Sequence, residues 1–109
     1  MYTFIASFTV LPDTCELARE ILHEEIIPVL RRERGLVDLM VLQSSYEPSQ
    51  FLVITLWESR GHAEDHHRNV YSHLIGLLKE HINGEADVRF YTVDTSTFHN
   101  IAAGMVASH

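Results

Sequence analysis

The chain has 109 residues, a length typical of one domain with one hydrophobic core. Hydrophobic residues make up 46% of the chain and charged residues 21%, as in globular proteins and unlike disordered ones. The formal net charge of −7 argues against nucleic acid as a partner, because neutralising phosphates requires clustered lysines and arginines. The only dense basic group, Arg31, Arg32 and Arg34, is interrupted by Glu33 and is typical of a solvated helix end.

Cysteine content and hydropathy limit where the protein can work. Cys15 is the only cysteine, which excludes an intrachain disulfide and a cluster of thiolate ligands, and we expect a cytoplasmic protein. The first ten residues, MYTFIASFTV, lack a basic leader and are typical of a strand, not of a signal peptide. No apolar run approaches the roughly 18 residues of a transmembrane helix, so we expect no membrane partner.

The first half of the chain predicts a strand followed by a helix. Residues 2–10 alternate between two faces, which is the period of a strand. Asp13 lies three residues before Glu16, the spacing of a capping box at a helix start. Pro28 is expected to kink or restart that helix, because proline lacks the N–H and clashes with the preceding turn. Gly35 is a natural residue to end it.

The second half predicts three further strands and a second helical region. Strands are expected over about residues 36–45, 51–57 and 87–94, with a hairpin at Tyr46–Gln50. Ser59 should cap a helical region over about 60–82, which Gly61 and Asn69-Val70 should divide, and Asn83-Gly84 should end it. We expect a domain over residues 1–94 and a loosely attached extension over residues 95–109.

The resulting order, β-α-β-β-α-β, predicts an α+β ferredoxin-like fold, with one antiparallel sheet and two helices on one face. The second strand carries apolar residues on both faces, with Leu36, Met40 and Leu42 on one and Val37, Leu39 and Val41 on the other. A monomer would leave one apolar sheet face in water. We therefore expect a homodimer in which two sheets pack face to face into a shared barrel.

The stretch after the third strand carries the candidate chemistry. On a continuous helix, His62, His66, Asn69 and His73 would share one face. This pattern allows a metal site with Glu58 or His73 as third ligand, an organic-substrate site with His66 as base, or solvated histidines beside one structural histidine. The H-E-x-x-H signature is absent, as are phosphate and dinucleotide motifs, so we expect no metal and no cofactor.

The segment FLVITLWESRGHAEDHH, the Arg34-Gly35-Leu36 step and the order of the elements resemble the antibiotic biosynthesis monooxygenase family. The resemblance covers roughly residues 2–94, and its most specific part is Trp57-Glu58-Ser59 followed by His66. It implies a dimeric α/β barrel. Members include cofactor-free oxygenases of aromatic polyketides, quinol-type oxygenases, haem-degrading enzymes and isomerases of small carbonyl compounds.

The matching positions separate these activities. Haem degraders use asparagine, tryptophan and histidine where this chain has Ala6, His66 and Gly76, so haem degradation is not expected. Cofactor-free oxygenases use asparagine, tryptophan and tyrosine, and the nearest equivalents are His62, His66 and Tyr71, of which only the tyrosine keeps its type.

The resemblance implies a cofactor-independent monooxygenase that acts on an aromatic phenol or hydroquinone between sheet and helices. His66 would be the base, oriented by Glu58, while Tyr71 and His62 would bind the substrate oxygen. The remaining candidates for contact with substrate are Trp57 as a pocket wall, Asn69 and His73. The alternative is a small-molecule isomerase or a ligand-binding module with the same fold.

Overall fold

The structure is a computed structural model that describes residues 1–98 and the backbone of residues 101–102 and 105–106. Its centre is an antiparallel sheet of four strands in the order β2-β3-β1-β4. The strands are β1 (Tyr2–Thr9), β2 (Leu36–Gln43), β3 (Gln50–Trp57) and β4 (Asp87–Thr92). Two helical segments connect them, so the α+β ferredoxin-like fold that the sequence predicts is confirmed.

Each helical segment contains a π-helical turn between two α-helices. The first segment consists of α1 (Cys15–Ile21), a π turn (Leu22–Ile26) and α2 (Ile27–Arg31). The second consists of α3 (Arg60–His66), a π turn (His67–Tyr71) and α4 (Ser72–Leu78). A π turn bonds each N–H to the carbonyl five residues back, so it rotates the side chains that follow relative to an uninterrupted α-helix.

The local signals in the sequence account for most of these boundaries. The expected restart at Pro28 is confirmed: the Ile27 N–H closes the π turn by donating to the Leu22 carbonyl, and α2 begins at Ile27 with Pro28 in its first turn, where no N–H is needed. Ser59 caps α3 as predicted, because its Oγ accepts from the His62 N–H at 3.3 Å. Gly61 lies inside α3 and does not break it.

The predicted capping box at the start of the first segment is wrong. Asp13 lies in a 3₁₀ turn, Pro12–Thr14, that precedes α1. Thr14 occupies the N-cap position, but its hydroxyl donates to the Leu11 carbonyl at 2.8 Å instead of capping the helix. Because Asp13 belongs to this turn, it does not occupy the N-cap position that a capping box with Glu16 requires.

The core lies between the sheet and the two helical segments. Alternate residues of β1 point into it, as the period of two predicts. The buried cluster joins them to apolar side chains of both helical segments: Phe8, Val10, Ala18, Ile21, Leu22, Ile26, Leu30, Phe51, Val53, Leu74 and Leu78. A smaller cluster beside it contains Phe4, Ala6, Trp57 and Ala63.

An irregularity at the start of β2 changes which residues share a face. The register with β3 shifts between Leu36 and Asp38, so Leu36 packs into the core with Leu39 and Val41. The sequence pattern had placed Leu36 with Met40 and Leu42 instead. The extra residue of a bulge reverses the alternation, and no period of two can anticipate it.

The face of the sheet opposite the helices is apolar across three strands. Ile54 in β3 pairs with Ile5 on one side and Met40 on the other. Met40 is 52% exposed and Leu42 40% exposed in the isolated chain. This outer face consists of Ile5, Met40, Leu42, Leu52, Ile54 and Leu56.

Beyond β4, the backbones of Ile101–Ala102 and Met105–Val106 pair as a short antiparallel ladder. Most of the extension expected over residues 95–109 lies outside the described residues, and the division at residue 94 stays a prediction. Among the residues that the structure describes, no helix is long and apolar enough to cross a membrane.

Gly35 and Gly84 offer a matched pair for testing a close approach. Both have positive φ, +87° and +86°, but a Cβ at Gly35 would overlap the His62 ring, whereas one at Gly84 would meet nothing within 4 Å. Gly84→Ala should cost about 1 kcal/mol of unfolding free energy through backbone strain alone. Gly35→Ala should cost roughly 2–4 kcal/mol, because overlap adds to strain. Urea denaturation measures both, and equal losses would contradict the account.

Candidate functional site

An internal cavity lies between the sheet and the two helical segments. The space not filled by atoms in the cavity and at its mouth is about 390 Å³, of which about 40 Å³ can be occupied by the centre of a water molecule. Its walls are apolar except for Thr55, His66 and Tyr71. The apolar lining comes from the sheet and both helical segments: Phe4, Ala6, Phe8, Leu22, Ile26, Leu30, Val53, Leu74, Ile75 and Leu78.

His66, the last residue of α3, is the buried titratable group of this cavity, with 3% of its surface exposed. Its ring stacks on Trp57 with centroids 5.0 Å apart, and it meets the edge of Phe4 at 5.1 Å. Such packing fixes the ring plane, because rotation about either side-chain torsion would drive the imidazole into an aromatic neighbour.

Glu33 lies against the other edge of the imidazole. Its Oε2 is 2.7 Å from His66 Nδ1, and the glutamate side chain is 14% exposed. Neither atom has a well-aligned hydrogen bond to any described residue, so each is the only close polar partner of the other. Glu33 follows α2 and does not line the cavity, whereas the His66 imidazole does.

The sequence favoured Glu58 as the carboxylate that orients His66, but Glu58 is exposed and Glu33 occupies that place. Glu33 and His66 are far apart in sequence and meet because the residue that follows the first helical segment lies against α3, the first helix of the second segment. The available signal was a single acid in an otherwise basic run, directly before the turn at Gly35.

Trp57 is completely buried behind His66 instead of lining the cavity itself. Its Nε1–H donates to Thr55 Oγ1 at 2.9 Å, and the threonine hydroxyl donates to the Phe4 carbonyl at 2.9 Å. Both polar groups are thereby satisfied in a buried site, where an unpaired donor would be costly. The chain of bonds holds the indole as a fixed platform for the imidazole.

Tyr71 closes the cavity at the end of the second π turn and is half-buried. Its ring lies 5.1 Å from Phe4 and 6.4 Å from His66. Burial raises the pKa of its phenol above the ordinary 10.0, and the negative charge of Asp87 raises the pKa further. The phenol is therefore a neutral hydrogen-bond donor at physiological pH.

The other candidates lie outside the cavity lining. His62 Nδ1 is 2.8 Å from Ser59 Oγ, and His62 and Asn69 line a separate polar cleft on the outer side of His66. His67 is exposed and packs its ring 5.4 Å from Phe90. Three of the four residues expected on one helix face, His62, His66 and Asn69, line the polar cleft together, whereas the π turn after His66 rotates His73 away to the exposed surface.

The part of the chain that the structure describes contains no ligand set for the metal site that the sequence allowed. No three side chains of histidine, cysteine, aspartate or glutamate converge there in a way that could hold an ion. The nitrogen of His66 that Glu33 contacts is engaged with a carboxylate, and His62 is engaged with Ser59.

The sequence profile of the antibiotic biosynthesis monooxygenase family matches residues 1–74, which include β1 to β3 and the whole of α3. The chain belongs to this family. No curated protein sequence matches it.

Solved structures share the fold at low sequence identity. A Nitrosomonas europaea protein whose name refers to the same family is 22% identical, with a TM-score of 0.72 over 84% of this chain and 96% of its own. One from Deinococcus radiodurans is 18% identical, with a TM-score of 0.76 over 88% and 95%. A Mycobacterium tuberculosis protein is 20% identical, with a TM-score of 0.73 over 88% and 97%.

The burial of Tyr71 predicts a late step in an alkaline titration. Because its folded-state pKa is raised, the stability that the neutral phenol contributes is complete below its unfolded pKa and is lost as pH rises through the folded value. Absorbance at 295 nm should contain a tyrosinate component above pH 10.0 that Tyr71→Phe removes. Tyr46→Phe, on the exposed hairpin, should leave it in place. Survival of the late component in Tyr71→Phe would contradict the assignment.

Proposed function

We propose that this protein is a cofactor-independent monooxygenase of small aromatic phenols or hydroquinones that works as a cytoplasmic homodimer. One observation carries the proposal: a buried imidazole lines an apolar cavity on one side and contacts a carboxylate on the other. Membership of the family supports an activity on small molecules. The unpaired Cys15 is compatible with a reducing compartment.

The Glu33–His66 pair has the arrangement of a general base, in which a carboxylate orients an imidazole. A carboxylate beside Nδ1 favours the tautomer that carries its proton on that nitrogen, which leaves the lone pair of Nε2 for a substrate proton. The carboxylate then stabilises the imidazolium that forms. Tyr71 can donate a hydrogen bond to the substrate oxygen from the same cavity wall.

The chemistry follows from deprotonation in an apolar site. His66 takes the phenol proton, and the electron-rich phenolate passes one electron to O₂. Recombination forms a carbon–oxygen bond on the ring, and loss of water leaves a second carbonyl, so one oxygen atom stays on the product. The apolar walls supplied by Phe4, Phe8 and Leu74 would keep bulk water away from the reactive carbon.

The homodimer is supported by the outer face of the sheet. Met40 and Leu42 of this face are 52% and 40% exposed within one chain, and contiguous apolar patches of this kind are unusual on monomers. A second copy of the same face would bury them, and a stable interface should exceed about 1,000 Å².

Replacement of the base should abolish most of the activity. His66→Ala should lower the turnover of dihydroxynaphthalenes by roughly 10²-fold or more, the lower range for loss of a general base, as measured with an oxygen electrode. His67→Ala is the matched control: its ring is exposed and lies outside the cavity lining, and it should retain near-normal turnover.

The same assay separates the proposal from its alternatives. Conversion of a small carbonyl compound without oxygen uptake would replace the oxygenase by an isomerase, in which His66 shuttles a proton. Saturable ligand binding without turnover would indicate a binding module. Equal activity in the His66→Ala and His67→Ala proteins would remove His66 from the reaction.

A charge on the outer face should separate the protomers. Met40→Glu should convert a dimer at micromolar concentration to a monomer in sedimentation velocity, because an unpaired carboxylate would be buried at the interface. The fold should survive, since Met40 is 52% exposed within one chain. Tyr46→Glu, at a site 99% exposed on the hairpin, should stay dimeric. A monomeric wild-type protein would refute the dimer.

A further inference from the structure

We propose that the cavity is entered between α4 and the loop that precedes β4, past Tyr71 and Ile75, and that Gly76 keeps this entrance open. The residue at position 76 would then set the size of the molecules admitted. The choice of an aromatic ligand rests on the proposed function, but the position of the entrance rests on geometry alone.

A wide surface cleft adjoins the cavity on this side. Water-molecule centres can occupy about 490 Å³ of it, against about 40 Å³ inside the cavity. The two spaces share Tyr71 and Ile75 as lining residues. Both side chains are only partly buried, so a two-residue wall separates the wide cleft from the narrow cavity.

The opposite side of the cavity is closed by a fixed group. The polar cleft on that side shares only His66 with the cavity. That ring is 3% exposed, is stacked on Trp57 and contacts Glu33 at 2.7 Å. Opening there would separate the imidazole from the Glu33 carboxylate, whereas movement at Ile75 would leave that contact intact.

Gly76 lies on α4 at the floor of the wide cleft. Glycine is a poor helix former, and it usually occurs in a helix where a neighbour approaches too closely for a side chain. No such neighbour is present, because a Cβ built at Gly76 would meet no heavy atom within 4 Å. The missing side chain therefore leaves open space in the same cleft that Ile75 lines.

The rim and the interior differ in polarity, which indicates the kind of molecule that passes. Lys79 and Glu85 lie on the cleft, whereas Tyr71 and Ile75 present aromatic and aliphatic surface at the passage. A flat, neutral aromatic molecule matches the passage, since a charged one would lose its hydration in an apolar cavity.

Trp57 makes the passage measurable without any knowledge of the natural substrate. It is the only tryptophan, and its ring lies 5.0 Å from the ring of His66, which lines the cavity. Quenching of its emission on mixing with phenol or 2-naphthol therefore reports arrival in the cavity. Stopped-flow mixing gives the association and dissociation rates separately.

The decisive variant is Gly76→Phe, for which the structure offers free space. We expect the association and dissociation rates of 2-naphthol to fall together by about tenfold or more, with the dissociation constant changed less than about threefold. A residue at an entrance slows passage in both directions, but it does not touch the bound molecule. Phenol, with one ring, should be slowed less.

Glu80→Phe is the control, because it adds the same ring at an exposed position that follows α4 and lies outside the cleft lining. It should leave both rates unchanged. Gly76→Leu serves in its place if Gly76→Phe does not fold.

Unchanged rates at position 76, equal slowing in Glu80→Phe, a change in affinity alone, or no saturable quenching of the wild-type protein would each overturn the entrance. Slowed entry in a protein without oxygen uptake would keep the entrance and refute the proposed function. Oxygen uptake with unchanged entry would do the reverse.

Discussion

The contact between His66 Nδ1 and Glu33 Oε2 joins the end of the first helical segment to the first helix of the second segment. Glu33 follows α2, and His66 ends α3, so the pair fixes the position of one segment against the other. A buried imidazole beside a carboxylate is costly to separate, because either group alone would be left without a partner in a poorly solvated site. The cavity geometry depends on this contact.

Two further features stabilise the junction between the first helical segment and α3. Gly35 turns the chain at a positive φ two residues after Glu33, and the absence of its side chain makes room for the His62 ring. Glu58 donates its backbone N–H to the Gly35 carbonyl at 2.8 Å, which joins the end of β3 to this turn. A short stretch of backbone therefore positions the carboxylate, the capped start of α3 and the strand end that carries Trp57.

The π turns decide which side chains reach the cavity. Leu22 and Ile26 begin and end the first turn, and Tyr71 ends the second, and all three line the cavity. An extra residue in a turn widens the helix and shifts every later side chain around its axis. Such turns are frequent at functional sites, where the shift brings together residues that regular spacing would separate.

The features that depend on local periodicity and backbone sterics could be predicted from the sequence. The inward positions of β1, the cap at Ser59 and the positive φ at Gly35 follow from the alternation of residue types and from backbone sterics. His66 could be selected because a histidine after Trp57-Glu58-Ser59 fits the family pattern.

The remainder depended on packing between distant parts of the chain. The bulge at the start of β2 and the π turn after His66 are small irregularities within regular patterns: the bulge moved Leu36 to the other face of the sheet, and the π turn separated His73 from His62, His66 and Asn69. The pairing of His66 with Glu33 is a tertiary contact, so proximity in sequence favoured Glu58 instead. No local signal specifies which distant carboxylate meets a buried histidine.

The protonation pattern of the His66 ring shows whether Nε2 is free to act as a base towards the cavity. Long-range proton–nitrogen NMR spectra of ¹⁵N-histidine-labelled protein at neutral pH distinguish the two tautomers and the imidazolium, and His66→Gln identifies the signal. The account predicts the tautomer with its proton on Nδ1, towards Glu33, and an unprotonated Nε2 towards the cavity. A proton on Nε2, or an imidazolium, would leave no base facing the cavity and would contradict it.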